Sequence, residues 1–111
     1  MIILVSPSKD LDYQSNIEQN STEIPRLWKK SWPIVEQLKK YTPKKLAALM
    51  DISPKLAAEN HQRNQAFIQQ FTKENSRPAL YAFSGDVYRG LDVKSLDPLS
   101  IHYCASHLRI L

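Results

Sequence analysis

Only two glycines occur in this chain of 111 residues, Gly85 and Gly90. Glycine reaches positive φ and lets other backbone approach closely, so a chain this poor in it has few places for an unusual bend. Both places fall within Ala82-Phe83-Ser84-Gly85-Asp86-Val87-Tyr88-Arg89-Gly90-Leu91. The apolar run 79–83 just before them reads as a buried strand. Gly85 and Gly90 then form the expected structural turn, with Asp86, Tyr88 and Arg89 between them. Open α/β sheets tend to place ligands at such a strand end. A plain strand-to-helix connection, with Asp86 as N-cap and Arg89 solvated, accounts for the same residues.

A second loop of similar build opens the chain. Residues 2–5 are apolar, stop at Ser6-Pro7, and read as a strand buried on both faces. Pro7 ends the strand and holds Ser6 extended. The loop that follows, Ser8-Lys9-Asp10-Leu11-Asp12-Tyr13, carries an amine and two carboxylates. Two strand-end loops of complementary charge would lie side by side at one sheet edge. Lys9 would then pair with Asp86, or Asp12 with Arg89. The other reading makes these groups turn formers and caps.

Between the two loops the pattern is helical. Residues 14–23 are polar and read as irregular surface. Ile24-Pro25 opens a first helix, which Pro33 kinks or divides. Thr42-Pro43 and Ser53-Pro54 each join a cap to an N1 proline and start two more helices. The first of these two ends at Asp51 or Ile52, with Leu46, Leu49 and Met50 inward. The second reaches about Phe71 and carries a polar patch of Asn60, His61, Arg63 and Asn64. A short helix is expected over 87–91. Asp97-Pro98 repeats the cap-proline device, and 108–111 begins to read as a strand. The expected class is therefore α/β, with buried strands near 2–5 and 79–83 and helices between them.

Charge is unevenly spread. From Arg26 to Lys55 eight cations face only Glu36 and Asp51, giving +6 against −2 for the rest of the chain. Clustered lysine suits a polyanion such as nucleic acid, and it equally suits a solvated helix face. Apolar residues make up 42%, which fits a globular protein and not a disordered one. No apolar run is long enough to cross a bilayer. A single cysteine, Cys104, and the lack of an export signal point to the cytoplasm. Cys104 is expected as a buried thiol. His102 and His107 are spaced too widely round a helix to share a metal, so no metal and no cofactor is expected.

Taken together, the motifs resemble a known family. Ile3-Leu4-Val5-Ser6-Pro7-Ser8-Lys9-Asp10-Leu11-Asp12-Tyr13 is similar to the opening strand and SPAKTLDY-like motif of the YaaA family of peroxide stress resistance proteins. Met50-Asp51-Ile52-Ser53-Pro54-Lys55-Leu56-Ala57, with Asn60, Arg63 and Phe67, resembles its next block. The stretch 82–91 resembles its AFKGDVYxGL block, and His107-Leu108-Arg109-Ile110-Leu111 the segment leading into a glycine hairpin. Ser84 stands where lysine is common, and Ser8 and Asp10 replace a small residue and a threonine. These changes lower the positive charge of both loops.

The resemblance implies a YaaA-like fold, of which 1–111 would be the N-terminal portion of a single domain, truncated after Leu111. Sheet partners would then lie in the remainder. It implies a cytoplasmic DNA-binding protein of the oxidative stress response that helps limit free intracellular iron. Double-stranded or distorted DNA is the expected partner of the full-length protein. No membrane and no particular protein partner is expected. Lys9, Arg63, Arg89, Lys29, Lys30, Lys44 and Lys45 are the candidate phosphate-binding residues. The alternative is an enzyme acting on nucleic acid or a nucleotide, with Lys9, Asp12 and Asp86 in a strand-end cleft. No phosphate-cradling glycine loop or Ser-His-Asp pattern is present, so an enzyme is the less favoured reading.

Overall fold

The computed structural model describes residues 1–17 and 23–111. Half of the polar stretch 14–23, residues 18–22, lies outside the described residues. The architecture is mixed α/β. The chain divides into two compact units, one formed by 1–23 with 73–111 and the other by 24–72.

The 24–72 unit is helical. Helix α1 (Trp28–Lys39) is one helix with Pro33 inside it, and it starts after Pro25, not at it. Leu27 at its N-cap offers no side-chain oxygen, so a turn from Trp28 N–H to the Pro25 carbonyl stands in front. Helices α2 (Pro43–Met50) and α3 (Pro54–Ala66) begin as the cap-proline pairs predict. Thr42 accepts from Lys45 N–H, and Ser53 from Leu56 N–H. Asp51, in the left-handed conformation at φ 51°, ends α2. The two helices meet at the buried Leu46 and Ala57. Leu49, expected inward, is 59% exposed.

Helix α3 stops well before Phe71. Phe67 turns extended, and its ring and that of Phe71 pack on Trp28 at centroid distances of 5.5 and 4.6 Å. The Trp28 indole N–H donates to the Gln69 carbonyl. Aromatic burial against α1 therefore replaces the last helical turn.

Among the described residues, the other unit contains four short strands in two ladders. Strand β1 (Ile3–Val5) pairs in parallel with β4 (Leu108–Ile110), Leu4 opposite Arg109. Strand β2 (Asp10–Leu11) pairs antiparallel with β3 (Phe83–Ser84), Asp10 opposite Ser84. Helices α4 (Ala79–Ala82), α5 (Asp86–Leu91) and α6 (Pro98–His107) complete it. A 3-10 turn at 93–95 follows α5. The Asp97 side chain caps α6 as expected, accepting from Ser100 N–H.

Two expectations about the strands are corrected. Residues 79–82 are a helical turn, and only Phe83–Ser84 is strand. Tyr81 and Ala82 N–H both donate to the Pro78 carbonyl. An apolar run of four or five residues satisfies either geometry, and the proline in front of this one suits a helix start. Strand β1 stands where expected but is not buried. Ile3 is 37% and Leu4 61% exposed, because β1 has one strand neighbour among the described residues.

Candidate functional site

The two polar loops do meet, through the β2–β3 ladder. Asp12 N–H extends that ladder to the Ala82 carbonyl at 2.7 Å, and the Tyr88 hydroxyl donates to the Ser6 carbonyl at 2.7 Å. Tyr88 is buried and its ring stacks on Phe83, so α5 is fixed to the first loop by one aromatic residue. Burial pushes its phenol up from the usual value, which keeps it neutral as a hydrogen-bond donor.

Gly85 makes this closeness possible. Its φ is +135°, and a Cβ built there would lie 2.8 Å from the Ser8 hydroxyl oxygen. Ser8 in turn accepts from Asp10 N–H, holding the approach to β2. Gly90, expected as part of the same turn, lies inside α5, where an added Cβ meets nothing within 4 Å. The turn is built by Gly85 alone.

Both aspartates meet an arginine. Asp86 sits in the first turn of α5 and pairs with Arg89 one turn on. Asp12 does not take Arg89. Its carboxylate accepts from Gln14 and Ser15 N–H at 3.0 and 2.9 Å. Hydrogen bonds from the Ser15 hydroxyl and from both N–H groups hold its carboxyl well below the usual range, with Arg77 adding a smaller contribution. Sequence reasoning missed Arg77. Its guanidinium donates to the Asp12 carbonyl at 3.0 Å and the Ser15 carbonyl at 2.6 Å. It lies 3.8 Å from the Asp12 carboxylate, with its side chain only 11% exposed. The only local signal was an arginine just before a proline in a polar connector. Lys9 is exposed on the loop between Ser8 and β2.

Beside this junction lies an open cavity of about 420 Å³, bordered by Asp12, Tyr81, Phe83, Tyr88, Arg89 and Lys94. Two candidates, Asp12 and Arg89, are among its lining residues.

The remaining candidates belong to the helical unit. Lys29 and Lys30 are exposed at the start of α1, and Lys44 and Lys45 at the start of α2. Lys39 is turned inward, its ammonium donating to the Phe67 carbonyl at 2.6 Å and standing 5.5 Å from the Trp32 ring centroid. Arg63 faces Glu59 at 3.8 Å on α3. The polar patch on α3 is half-buried, not exposed. Asn60 donates to the Leu56 carbonyl, and His61 Nδ1 lies 3.0 Å from the Tyr41 carbonyl. Cys104 is half-buried on α6. Among the described residues, no three His, Cys, Asp or Glu side chains gather as metal ligands. None of the described helices is long and apolar enough to cross a membrane.

The charge asymmetry follows the division of the chain. Residues 24–72 hold nine cations and three carboxylates, a net +6, while 1–23 and 73–111 hold six and eight, a net −2. Fold and site thus define a mixed α/β protein with a tied pair of polar loops in one unit and lysine-rich helices in the other. A family model described as peroxide stress protein YaaA matches residues 1–111, and the chain belongs to that family. Among its relatives are UPF0246 proteins of Polynucleobacter necessarius and Cupriavidus metallidurans, each 42% identical over all 111 residues. A UPF0246 protein of Flavobacterium psychrophilum is 43% identical over the same length. The match takes in the whole of this chain but only 43, 42 and 44% of those relatives, so the chain spans less than half their length.

Proposed function

We propose that the full-length protein serves the response to peroxide stress as a cytoplasmic DNA-binding protein, that its cellular effect is to limit free intracellular iron, and that this chain contributes phosphate contacts. The observation that supports this reading most is the set of exposed lysines, Lys29, Lys30, Lys44 and Lys45, on a unit of net +6. Exposed ammonium groups attract phosphates whatever the base sequence, and each phosphate contact releases counterions. Both lysine pairs stand in the first turns of their helices, where the helix dipole adds to the positive potential. Lys9, Arg63 and Arg89 are the further candidates for phosphate contact.

The catalytic reading of Lys9, Asp12 and Asp86 draws less support. The Asp12 carboxylate is held by Gln14 and Ser15, and Asp86 by Arg89, so neither is poised as a base. Fluorescence anisotropy with a short labelled duplex tests the DNA reading. Affinity falls roughly 10-fold or more between about 50 and 200 mM salt. The double variant Lys44→Glu, Lys45→Glu lowers the slope of log affinity against log salt by about 2. Affinity that is flat with salt, or unmoved by that variant, rejects the proposal. The iron reading predicts less paramagnetically detectable iron in peroxide-treated cells that carry the protein than in cells that lack it.

A further inference from the structure

The open cavity beside the loop junction carries chemistry that the junction does not use. All of its border belongs to the unit formed by 1–23 and 73–111. Its volume of about 420 Å³ falls in the range of roughly 300–1,000 Å³ common to small-molecule sites. Three aromatic side chains border it, Tyr81, Phe83 and Tyr88. Tyr88 is fixed, since its hydroxyl donates to the Ser6 carbonyl and its ring stacks on Phe83 at a centroid distance of 5.4 Å. A flat ligand ring therefore meets aromatic rings of which two need no ordering on binding.

Charge borders the same cavity. The side chains of Arg89 and its partner Asp86 are 66 and 97% exposed. An ion pair that open to water contributes little, so a phosphate can take over the guanidinium. Lys94 is exposed and enters no ion pair among the described residues. Of the two bordering carboxylates, Asp12 is engaged by Gln14 and Ser15 N–H, while Asp92 is exposed and is an acceptor for an amine. Two cations against two carboxylates suit a single phosphate and not a triphosphate. A wholly apolar ligand would use neither the cations nor Asp92.

We propose that this cavity binds one nucleoside monophosphate unit, its base against Tyr81 and Phe83, its phosphate on Arg89 and Lys94, and an exocyclic amine of the base on Asp92. Such a unit occurs free and as an unstacked residue of a nucleic-acid strand, with the same chemistry in both. The site stands apart from the DNA reading, whose exposed lysine pairs belong to the 24–72 unit.

The test titrates the 111-residue chain with AMP, adenosine, ribose 5-phosphate, thymidine monophosphate and ATP, followed by backbone-amide NMR. AMP binds saturably with Kd below about 1 mM, and the amide shifts gather at residue 12 and at 79–94. Adenosine, ribose 5-phosphate and thymidine monophosphate bind more weakly, and ATP no more tightly. Tyr81→Leu weakens AMP by roughly fivefold or more, and Arg89→Gln with Lys94→Gln by roughly tenfold or more. Lys55→Glu, in the helical unit, leaves AMP binding unchanged. The shift map needs no variant, so a folding defect in Tyr81→Leu does not blunt the test. A second arm compares a duplex carrying one unpaired adenine with the same duplex fully paired. AMP binding with equal affinity for the two duplexes assigns the site to a free nucleotide. A preference of roughly tenfold or more for the unpaired adenine, with the same amide shifts, assigns it to a strand. No saturable AMP binding together with no preference between the duplexes overturns the proposal, as do shifts confined to other residues. Ribose 5-phosphate binding as tightly as AMP also overturns it and leaves a phosphate patch only. Salt-dependent duplex affinity that survives any of these failures leaves the DNA reading standing.

Discussion

Arg77 ties two backbone segments more than sixty residues apart in sequence, through the Asp12 and Ser15 carbonyls and the Asp12 carboxylate. With most of its side chain buried, removal leaves carbonyl oxygens that water reaches poorly. Arg77→Met is expected to lower stability by about 1–3 kcal/mol in urea titration. Arg77→Lys restores the charge but not the forked donors, and recovers only part of the loss. Asp12 and Asp97 make a second residue-scale case. Both carboxyls lie below their ordinary value of 3.8 because hydrogen bonds favour the ionised form, from Ser15 and Gln14 for Asp12 and from Ser100 for Asp97. A depressed folded pKa gives stability that is present above the unfolded value and lost as pH falls through the folded one. Asp12→Asn and Asp97→Asn should therefore lower Tm near neutral pH, and the gap from wild type should close below about pH 4. A gap that widens in acid would contradict this assignment.

Element by element, the devices legible in the sequence were the local ones. Thr42-Pro43, Ser53-Pro54 and Asp97-Pro98 each contain both the capping oxygen and the N1 proline within two residues, and each starts a helix. The polar loops met as expected, yet their ion pairs differed, because Arg77 enters from a segment with no local motif. Residues 79–82 carry no periodicity long enough to separate helix from strand, and the choice falls to Pro78. The paired glycines looked alike in sequence and differ in structure. At Gly85 the backbone, φ +135° and ψ 179°, lies in a region essentially closed to other residues. Gly85→Ala should cost about 1–3 kcal/mol. Adding Ser8→Ala removes the oxygen at 2.8 Å but not the torsional strain, so the double variant recovers only a fraction. Gly90→Ala, in open space within α5, should instead raise stability by about 0.4–1 kcal/mol, since it restricts the unfolded chain. Thermal melts of the three variants check the contrast.

For the whole molecule the decisive quantity is how little apolar surface is removed from water. The deepest side chains are Leu46 and Ala57 in the helical unit and Ala82 and Tyr88 in the other, while Met1, Leu99 and Leu111 are more than 70% exposed. Stability is a small difference between burial and chain entropy, so sparse burial leaves each unit a shallow well. Hydrogen exchange on the isolated chain should reflect this distribution. Amides in the middle of α2 and α3 exchange slowest in the 24–72 unit, where Leu46 and Ala57 pack. In the other unit the slowest are Asp12, bonded to Ala82, and Arg89, bonded to Gly85, because the Tyr88 anchor lies between them. β1 and β4 exchange fastest of the strands, since Ile3 and Leu4 leave their ladder the most exposed. The chain should also melt broadly, and at a lower temperature than a domain of its length with a filled core. Uniform protection across β1, β4 and α3, with one sharp transition, would mean that the apolar ladder is already covered in the isolated chain.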